Sequence, residues 1–351
     1  MTVPISHLSP DILVVRFSAI GDILLTTPLL RAIRTRHPGA RVAFLTKERY
    51  VPLLSDNPSV NEVLGIGEED GIREIAQTVR SVRYSHLLDL HGSLRTLGLR
   101  AVARGPWRGF SKRRLERQVL ITAKRDIYRT QTPMAERYFE AAADLDVEID
   151  GEPPDFFISP EAEERAAECL GRIGLGEAPA LVAIAPGAAH ATKRWPADGW
   201  IRLARRLVST GAEVVALGGP DDVEIAKAVV SATRGRLTSS DERRVASAAG
   251  MLGLQESGAV IKRAAALISG DTGLMHMATG VRTPVVALFG PTVRQFGFFP
   301  YRADRSAVVE LPLDCRPCSA HGGPSCPLGH HRCLRAIGPE TVWEALCGVL
   351  A

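Results

Sequence analysis

The first apolar run of the chain is typical of a parallel β-strand. Residues 12–15 are continuously apolar and β-branched or leucine, as in a strand buried on both faces. A helical spacing of apolar residues follows from 23 to 33 and stops at the His-Pro-Gly sequence of 37–39. Residues 41–45 predict a second strand, so the pattern is a βαβ unit.

The same pattern begins again in the second half of the chain. The Gly-Glu-Pro-Pro sequence at 151–154 predicts a linker, because it breaks both helix and strand. Further strands are predicted at 63–66, 86–90, 181–185, 213–217, 265–269 and 285–289, and further helices at 161–173 and 195–209. Two successive α/β halves predict two Rossmann-like domains facing one another across an interdomain cleft, with ligands at the carboxyl ends of the strands.

We therefore expect an α/β protein of three parts. An amino-terminal Rossmann-like domain covers residues 1–155. A carboxyl-terminal Rossmann-like domain covers 156–338 and includes a cysteine-rich element at 312–334. Residues 339–351 form a carboxyl-terminal helix.

Composition places the chain among ordinary globular proteins. Of its 351 residues, 45% are hydrophobic and 23% are charged, which excludes wholesale disorder. No apolar run approaches the roughly 18 residues that a membrane span needs, and no basic-then-apolar leader opens the chain. We expect a cytoplasmic protein.

Asp22 stands where the first strand ends and the next helix begins. A carboxylate at this position can accept a proton from an incoming hydroxyl, as a general base must. Asp is also a favoured helix-capping residue, so position alone leaves both roles open.

Two further strand ends carry residues suited to a phosphate group. At 269–276 the sequence Ser-Gly-Asp-Thr-Gly-Leu-Met-His opens a helix, whose first N–H groups form a natural diphosphate site. At 186–196 Lys193 and Arg194 precede another helix. A capped turn and a pair of surface charges are the structural alternatives. The chain has neither a P-loop nor a G-x-G-x-x-G after its first strand, which argues against an NTPase and a dinucleotide dehydrogenase.

Four separated motifs together resemble the glycosyltransferase family 9 heptosyltransferases, the bacterial enzymes that build the lipopolysaccharide inner core. They are RFSAIGDILLTTPLLRAIR (16–34), PGAAHATKRWP (186–196), SGDTGLMHMA (269–278) and GHHRCLRAIGPETVWEAL (329–346). The resemblance spans nearly the whole chain, and the order and spacing of the motifs make it specific.

The resemblance implies a GT-B fold that transfers heptose with inversion from ADP-heptose. The amino-terminal domain would bind the acceptor, a Kdo or heptose unit on lipid A, with Asp22 as general base. The donor would be bound by Lys193, by Asp271, Thr272, Gly273 and His276, and by Glu224 in the segment that resembles the ribose site. No cofactor is implied for catalysis.

Positive charge is concentrated in one stretch of the first half. The net charge is +4, and residues 95–129 hold 11 basic and 2 acidic side chains. With the resemblance in hand, Arg95, Lys112, Arg113 and Arg114 are candidates for binding the anionic acceptor, since Arg recognises carboxylates and phosphates. The same stretch would hold the enzyme against the anionic inner membrane. A solvated helix face is the alternative, and nucleic acid is not an expected partner.

Four of the six cysteines fall within 19 residues, in the spacing C-x2-C-x7-C-x6-C. Cys315, Cys318, Cys326 and Cys333 lie among glycines and prolines with few apolar neighbours, so a zinc or iron ion held by four thiolates would stabilise the segment. Free thiols and disulfides are the alternatives. An iron-binding element of four cysteines occurs in the family branch that heptosylates autotransporter proteins.

Three other functions compete with lipopolysaccharide heptosylation. One is heptose transfer to a protein acceptor. Another is epimerisation of a nucleotide sugar, which can use the same architecture. The third is a binding module for nucleotide sugars or anionic surfaces that has no catalytic base.

Overall fold

The computed structural model describes residues 9–351 and divides into two compact units. The first unit extends to Lys112 and resumes at Met134–Asp155. The second unit contains Arg113–Pro133 and Phe156–Ala351. Residues 113–133 therefore pack with the second unit, whereas the sequence-based division put them in the first. The final helix is likewise part of the second unit.

Residues 9–155 form five strands and six α-helices. The strands are β1 (Asp11–Val15), β2 (Arg41–Lys47), β3 (Glu62–Ile66), β4 (His86–Asp89) and β5 (Trp107–Gly109). The helices are α1 (Ile20–Leu24), α2 (Thr27–Arg36), α3 (Ile72–Arg80), α4 (Leu94–Val102), α5 (Arg114–Ala123) and α6 (Met134–Arg137), with 3₁₀ segments at Glu48–Leu53 and Tyr138–Leu145. Of these, α5 belongs to the second unit.

The first sheet is parallel, with the strand order β3-β2-β1-β4-β5. Val15 at the end of β1 pairs in register with Leu45 of β2 and Asp89 of β4. The residues that follow β1 and β4, including Arg16 and His91, therefore emerge at the same edge of the sheet. This is the edge at which parallel α/β sheets bind ligands.

The remainder of the chain forms six strands and seven α-helices. The strands are β6 (Leu181–Ala185), β7 (Glu213–Ala216), β8 (Val245–Ser247), β9 (Ala266–Gly270), β10 (Val285–Phe289) and β11 (Ser306–Glu310). The helices are α7 (Pro160–Arg172), α8 (Ala197–Ser209), α9 (Val223–Arg234), α10 (Leu254–Arg263), α11 (Gly273–Gly280), α12 (Arg332–Arg335) and α13 (Pro339–Leu350).

The second sheet is also parallel, with the order β11-β10-β9-β6-β7-β8. Ala185 of β6 pairs with Ser269 of β9, and Gly270 of β9 pairs with Leu288 of β10. The loops that follow these three strands consequently share one edge. The rings of Trp195 and Trp200 pack edge to face, with centroids 5.0 Å apart. They belong to a hydrophobic core that α8, α9 and α13 cover.

The predicted helix over residues 23–33 is broken into α1 and α2. The Thr26 and Thr27 hydroxyls donate to the carbonyls of Ile23 and Leu24, at 2.6 and 2.7 Å. Pro28 has no N–H to continue the helical bonding, and it stands in the first turn of α2. As a result α1 is short, and Asp22 in its first turn stays close to the end of β1.

None of the helices within residues 9–351 is long and apolar enough to cross a membrane.

Candidate active site

Asp22 lies at the carboxyl-terminal edge of the first sheet and is held by charged and polar partners. Its Oδ1 atom is 2.5 Å from Nη2 of Arg16 and accepts the Tyr138 hydroxyl at 3.4 Å. Its Oδ2 atom accepts the backbone N–H of Ala19 at 3.3 Å. The side chain is 21% exposed. The residue therefore contributes to the start of α1 and also presents a carboxylate where a ligand can reach it.

His91 follows β4 at the same edge and is held as a neutral imidazole. Burial lowers its pKa to about 3, and the cations of Arg16 and Lys112 reinforce the effect. Its ring packs against that of Phe17, with centroids 5.2 Å apart, and among the described residues its buried Nδ1 has no hydrogen-bond partner. At neutral pH the ring is therefore uncharged and adds no positive charge beside Asp22.

Two of the four predicted acceptor-binding cations lie in the first unit. The Arg95 guanidinium lies over the Phe17 ring, 5.4 Å from its centroid, and donates to the carbonyl of Asp70. The Lys112 side chain runs past Gly92, where φ is +55° and an added Cβ would be 3.0 Å from Cε of the lysine. The structure thus brings Arg95 and Lys112 to the loop after β4.

Arg113 and Arg114 are placed differently. Both belong to the second unit, where Arg113 has a left-handed backbone conformation immediately before α5. Their role in binding an acceptor stays a prediction.

The second sheet carries an ion pair between two of the predicted donor-binding residues. Nζ of Lys193 is 2.6 Å from Oδ2 of Asp271, and the Thr292 hydroxyl donates to the same oxygen at 2.8 Å. Lys193 ends the loop after β6, whereas Asp271 and Thr292 follow β9 and β10. Three strand ends of the sheet therefore converge on one carboxylate.

The amino terminus of α11 lies directly beside this ion pair in sequence. Thr272 is its N-cap residue, and the Thr272 and Ser269 hydroxyls are 2.8 Å apart. Gly273 begins the helix, so its N–H is among those left without a helical acceptor. His276 is only 3% exposed, which shows that its ring is enclosed within the unit. The cation and the helix terminus together suit a diphosphate.

Glu224, the predicted ribose-binding residue, points away from the sheet. Its side chain is 91% exposed, and its carboxylate is 3.8 Å from Nζ of Lys227 on the same helix. Asp222 instead lies against the strand ends, where it accepts the Gly219 N–H at 3.0 Å. A side chain at Gly187 would collide with the Asp222 carboxylate. Sequence reasoning placed the ribose site in residues 219–224 and chose Glu224 among the acids there, although a glycine on each neighbouring loop signals a close approach at Asp222.

The four clustered cysteines are free thiols that share one region of the second unit. Burial raises the pKa of Cys333 to about 11, and the nearby Cys318 thiol adds to this effect. Within residues 9–351, however, no group of three or more His, Cys, Asp or Glu side chains is arranged to hold a metal ion. The structure gives the expected four-thiolate site no support as it stands, so that site remains a prediction.

Comparison with known proteins identifies the family. Residues 72–325 match the family described as Glycosyltransferase family 9 (heptosyltransferase), and this is well over half of the chain. Lipopolysaccharide heptosyltransferase 2 of Salmonella typhimurium is 28% identical, over 97% of this chain and 98% of that protein. The chain belongs to glycosyltransferase family 9, which confirms the resemblance seen in its motifs.

Solved structures agree with this assignment. The ADP-heptose lipopolysaccharide heptosyltransferase II of E. coli is 26% identical, with a TM-score of 0.75 and coverage of 97% of this chain and 98% of that one. A family 9 glycosyltransferase from Veillonella parvula has a TM-score of 0.78 at 23% identity, with coverage of 97% of each chain. The protein is therefore a glycosyltransferase with the GT-B fold, as predicted.

Proposed function

We propose that this protein is an inverting heptosyltransferase that moves heptose from ADP-heptose to the lipopolysaccharide inner core. The family assignment supports the reaction class. The names of the related proteins from Salmonella typhimurium and E. coli support the donor and the acceptor. We place this activity in the cytoplasm, at the inner face of the membrane where its acceptor is anchored.

The partly exposed Asp22 carboxylate at the carboxyl-terminal edge of the first sheet is the observation that carries the proposal. The acceptor hydroxyl gives its proton to this carboxylate as its oxygen forms a bond to the anomeric carbon of heptose. The bond from that carbon to the diphosphate oxygen breaks, and ADP leaves with the electron pair. Attack opposite the leaving group inverts the anomeric centre. This chemistry needs a base and a stabilised leaving group, and it consumes no cofactor.

The second sheet supplies the groups for the leaving ADP. Lys193 would place a cation on the diphosphate, and the N–H groups that open α11 would add fixed dipoles. Asp271 holds Lys193 in position at 2.6 Å. We assign the ribose hydroxyls to Asp222 in preference to Glu224, because Asp222 lies at the strand ends and Glu224 faces solvent.

The first unit supplies the groups for an anionic acceptor. Arg95 and Lys112 stand beside the loop after β4, on the same edge as Asp22. On α4 two leucines, Leu94 and Leu97, are exposed next to Arg95. Exposed apolar side chains beside cations suit a lipid acceptor at an anionic membrane. We therefore propose peripheral contact with the membrane at α4.

Replacing Asp22 with Asn tests the proposed function. We expect transfer from ADP-heptose to a heptose-deficient lipopolysaccharide acceptor to fall at least about 1000-fold, because the amide cannot take the proton. Affinity for ADP, whose predicted ligands are in the second unit, should stay within about twofold. Product is followed by mass spectrometry of the acceptor.

The same assay separates the competing functions. Heptose on a protein with none on lipopolysaccharide would indicate a protein acceptor, and conversion of the sugar nucleotide without any acceptor would indicate an epimerase. Donor binding with no turnover would indicate a binding module. Full transfer by Asp22→Asn would reject the base assignment.

A further inference from the structure

We propose that Arg16 is a positioning residue that keeps the Asp22 carboxylate ionised and aimed at the acceptor hydroxyl. The proposal rests on the function proposed for Asp22. Nη2 of Arg16 lies 2.5 Å from Oδ1 of Asp22, a charge-assisted hydrogen bond of the stronger kind. Arg16 itself touches neither reacting atom in this scheme and acts through Asp22.

The guanidinium is fixed independently of the carboxylate it holds. Nε donates to the carbonyl of Ser18 at 2.7 Å, and Nη1 donates to the carbonyl of Leu90 at 2.6 Å. Ser18 follows β1 and Leu90 follows β4, so the arginine is anchored to the ends of two neighbouring strands. Arginine reaches these three oxygens from three separate nitrogen atoms of one plane, whereas the three N–H donors of lysine all radiate from a single nitrogen.

The two side chains of this ion pair differ in their exposure to solvent. The Arg16 side chain is 8% exposed, whereas that of Asp22 is 21% exposed, so the cation lies behind the carboxylate and away from solvent. Burial lowers the pKa of Arg16, but the nearby Asp22 and Tyr138 outweigh this and the pKa is raised overall. The guanidinium therefore stays charged, and its field favours the ionised carboxylate.

Asp89 is a second carboxylate near Arg16, and it has separate partners. Its Oδ1 accepts the backbone N–H groups of His91 and Gly92 at 3.0 and 2.8 Å. Its Oδ2 is 3.8 Å from Nη1 of Arg100. The guanidinium of Arg16 thus contacts the carboxylate of Asp22, whereas the carboxylate of Asp89 holds the backbone of the loop after β4.

Tyr138 supports the same carboxylate from a different element. Its hydroxyl donates to Oδ1 of Asp22 at 3.4 Å, and the Arg16 guanidinium lies 5.9 Å from the centre of its ring. Burial raises the pKa of Tyr138, so this hydroxyl keeps its proton and remains a donor. The ring is held in turn by Phe110, edge to face with centroids 4.9 Å apart.

The charged groups around Asp22 belong to several elements of the first unit. Arg16 follows β1, Tyr138 begins the 3₁₀ segment after α6, and the neutral His91 follows β4. Lys47 and Lys112 act on His91 and so lie in the same region. The Arg16 guanidinium is in direct contact with the carboxylate, and its removal should therefore raise the pH at which Asp22 takes up a proton.

The test compares the full-length variants Arg16→Met, Arg16→Lys and Tyr138→Phe in steady-state transfer assays across a pH range. For Arg16→Met we expect kcat to fall about 100-fold, since a misplaced reacting group costs about that factor, with the KM for ADP-heptose within about twofold. The acid limb of its kcat–pH profile should move up by about 1–2 pH units. Arg16→Lys should keep the acid limb near its original pH but lose part of kcat.

Arg34→Met is the matched control. Arg34 is a structural arginine of α2 whose Nη1 donates to the carbonyls of Pro38 and Ala40, at 2.8 Å each. Its loss should lower the thermal stability and leave the acid limb unchanged. An Arg16→Met enzyme with that same behaviour would overturn the positioning role.

The outcomes separate this inference from the proposed function. Full activity of Asp22→Asn would reject the base and with it the role of Arg16. An inactive Asp22→Asn together with Arg16 variants of unchanged kcat and pH profile would reject the inference alone. Should Arg16→Met fail to fold, as shown by loss of cooperative unfolding, Arg16→Lys and Tyr138→Phe decide. Because Arg16→Lys is expected to keep its acid limb, an unchanged kcat in both variants would then overturn the proposal.

Discussion

Nζ of Lys193 and Oδ2 of Asp271 lie 2.6 Å apart, and both side chains are largely shielded from water. In such surroundings an ion pair is stronger than on an open surface, and either partner alone would be costly to bury. Because Thr292 donates to the same oxygen, the lysine is held in one direction. A lysine fixed in this way loses little conformational entropy when an anion binds.

Replacing Lys193 with Met should therefore impair the donor half of the reaction. We expect kcat to fall about 100-fold, the factor typical of removing one group that stabilises developing negative charge. The variant also leaves Asp271 buried without its cation, so a lower melting temperature is expected. Lys227→Met, which removes an exposed lysine of α9, is the control and should transfer heptose normally. Equal activity of the two variants would argue against contact between Lys193 and the diphosphate.

Asp222 and Glu224 form a matched pair for locating the ribose site. Asp222→Asn retains an oxygen that can accept the Gly219 N–H but loses the charge, and we expect ADP to bind about tenfold more weakly. Glu224→Gln should leave ADP affinity unchanged, because its side chain faces solvent. Isothermal titration calorimetry with ADP measures both. The reverse order of effects would restore Glu224 as the ribose residue.

The lowered pKa of His91 predicts how the stability of the folded protein depends on pH. Its pKa is lowered from the ordinary 6.5 to about 3 in the folded protein, so the unfolded chain binds more protons between these values. The folded state should therefore lose stability as pH falls from 6.5 towards 3. His91→Gln should lose less over that window, and melting temperatures measured at successive pH values show the difference. His321→Gln, at an exposed position, should follow the original protein.

Metal analysis decides the prediction for the cysteine-rich element. The spacing of Cys315, Cys318, Cys326 and Cys333 predicts about one equivalent of zinc or iron in protein purified without chelators. Cys318→Ser should lose that metal, whereas Cys347→Ser, at an exposed position of α13, should retain it. Less than about a tenth of an equivalent in the original protein would reject the site and leave the free thiols that the structure shows.

The strands were largely predictable because they are buried on both faces. β1, β2, β6 and β10 contain uninterrupted runs of apolar residues that have no solvent-facing alternative. The break between α1 and α2 was harder to foresee. The apolar spacing continues through residues 25–30, and the interruption comes from two threonine hydroxyls and the missing N–H of Pro28.

The parts of the candidate site that the sequence did not predict depend on contacts between residues that are far apart in the chain. Position after a strand made Asp22, Lys193 and Asp271 candidates, and the family resemblance supplied their expected roles. The anchoring of Arg16 depends on the carbonyl of Leu90, which is 74 residues away. Likewise, the choice between Asp222 and Glu224 depends on which of the two carboxylates faces Gly187 and Gly218. The spacing of apolar residues in the sequence does not tell which one does.

The excursion of residues 113–133 has a practical consequence for dissecting the enzyme. Because α5 is encoded inside the first half yet packs with the second, the polypeptide crosses from one unit to the other three times. A gene divided after codon 155 would give an amino-terminal fragment whose Lys124 and Asp126 have lost their hydrogen-bond partners in the second unit, the carbonyl of Pro317 and the side-chain amide of Gln295. Expressing either unit on its own therefore calls for fragments that keep residues 113–133 with the second unit.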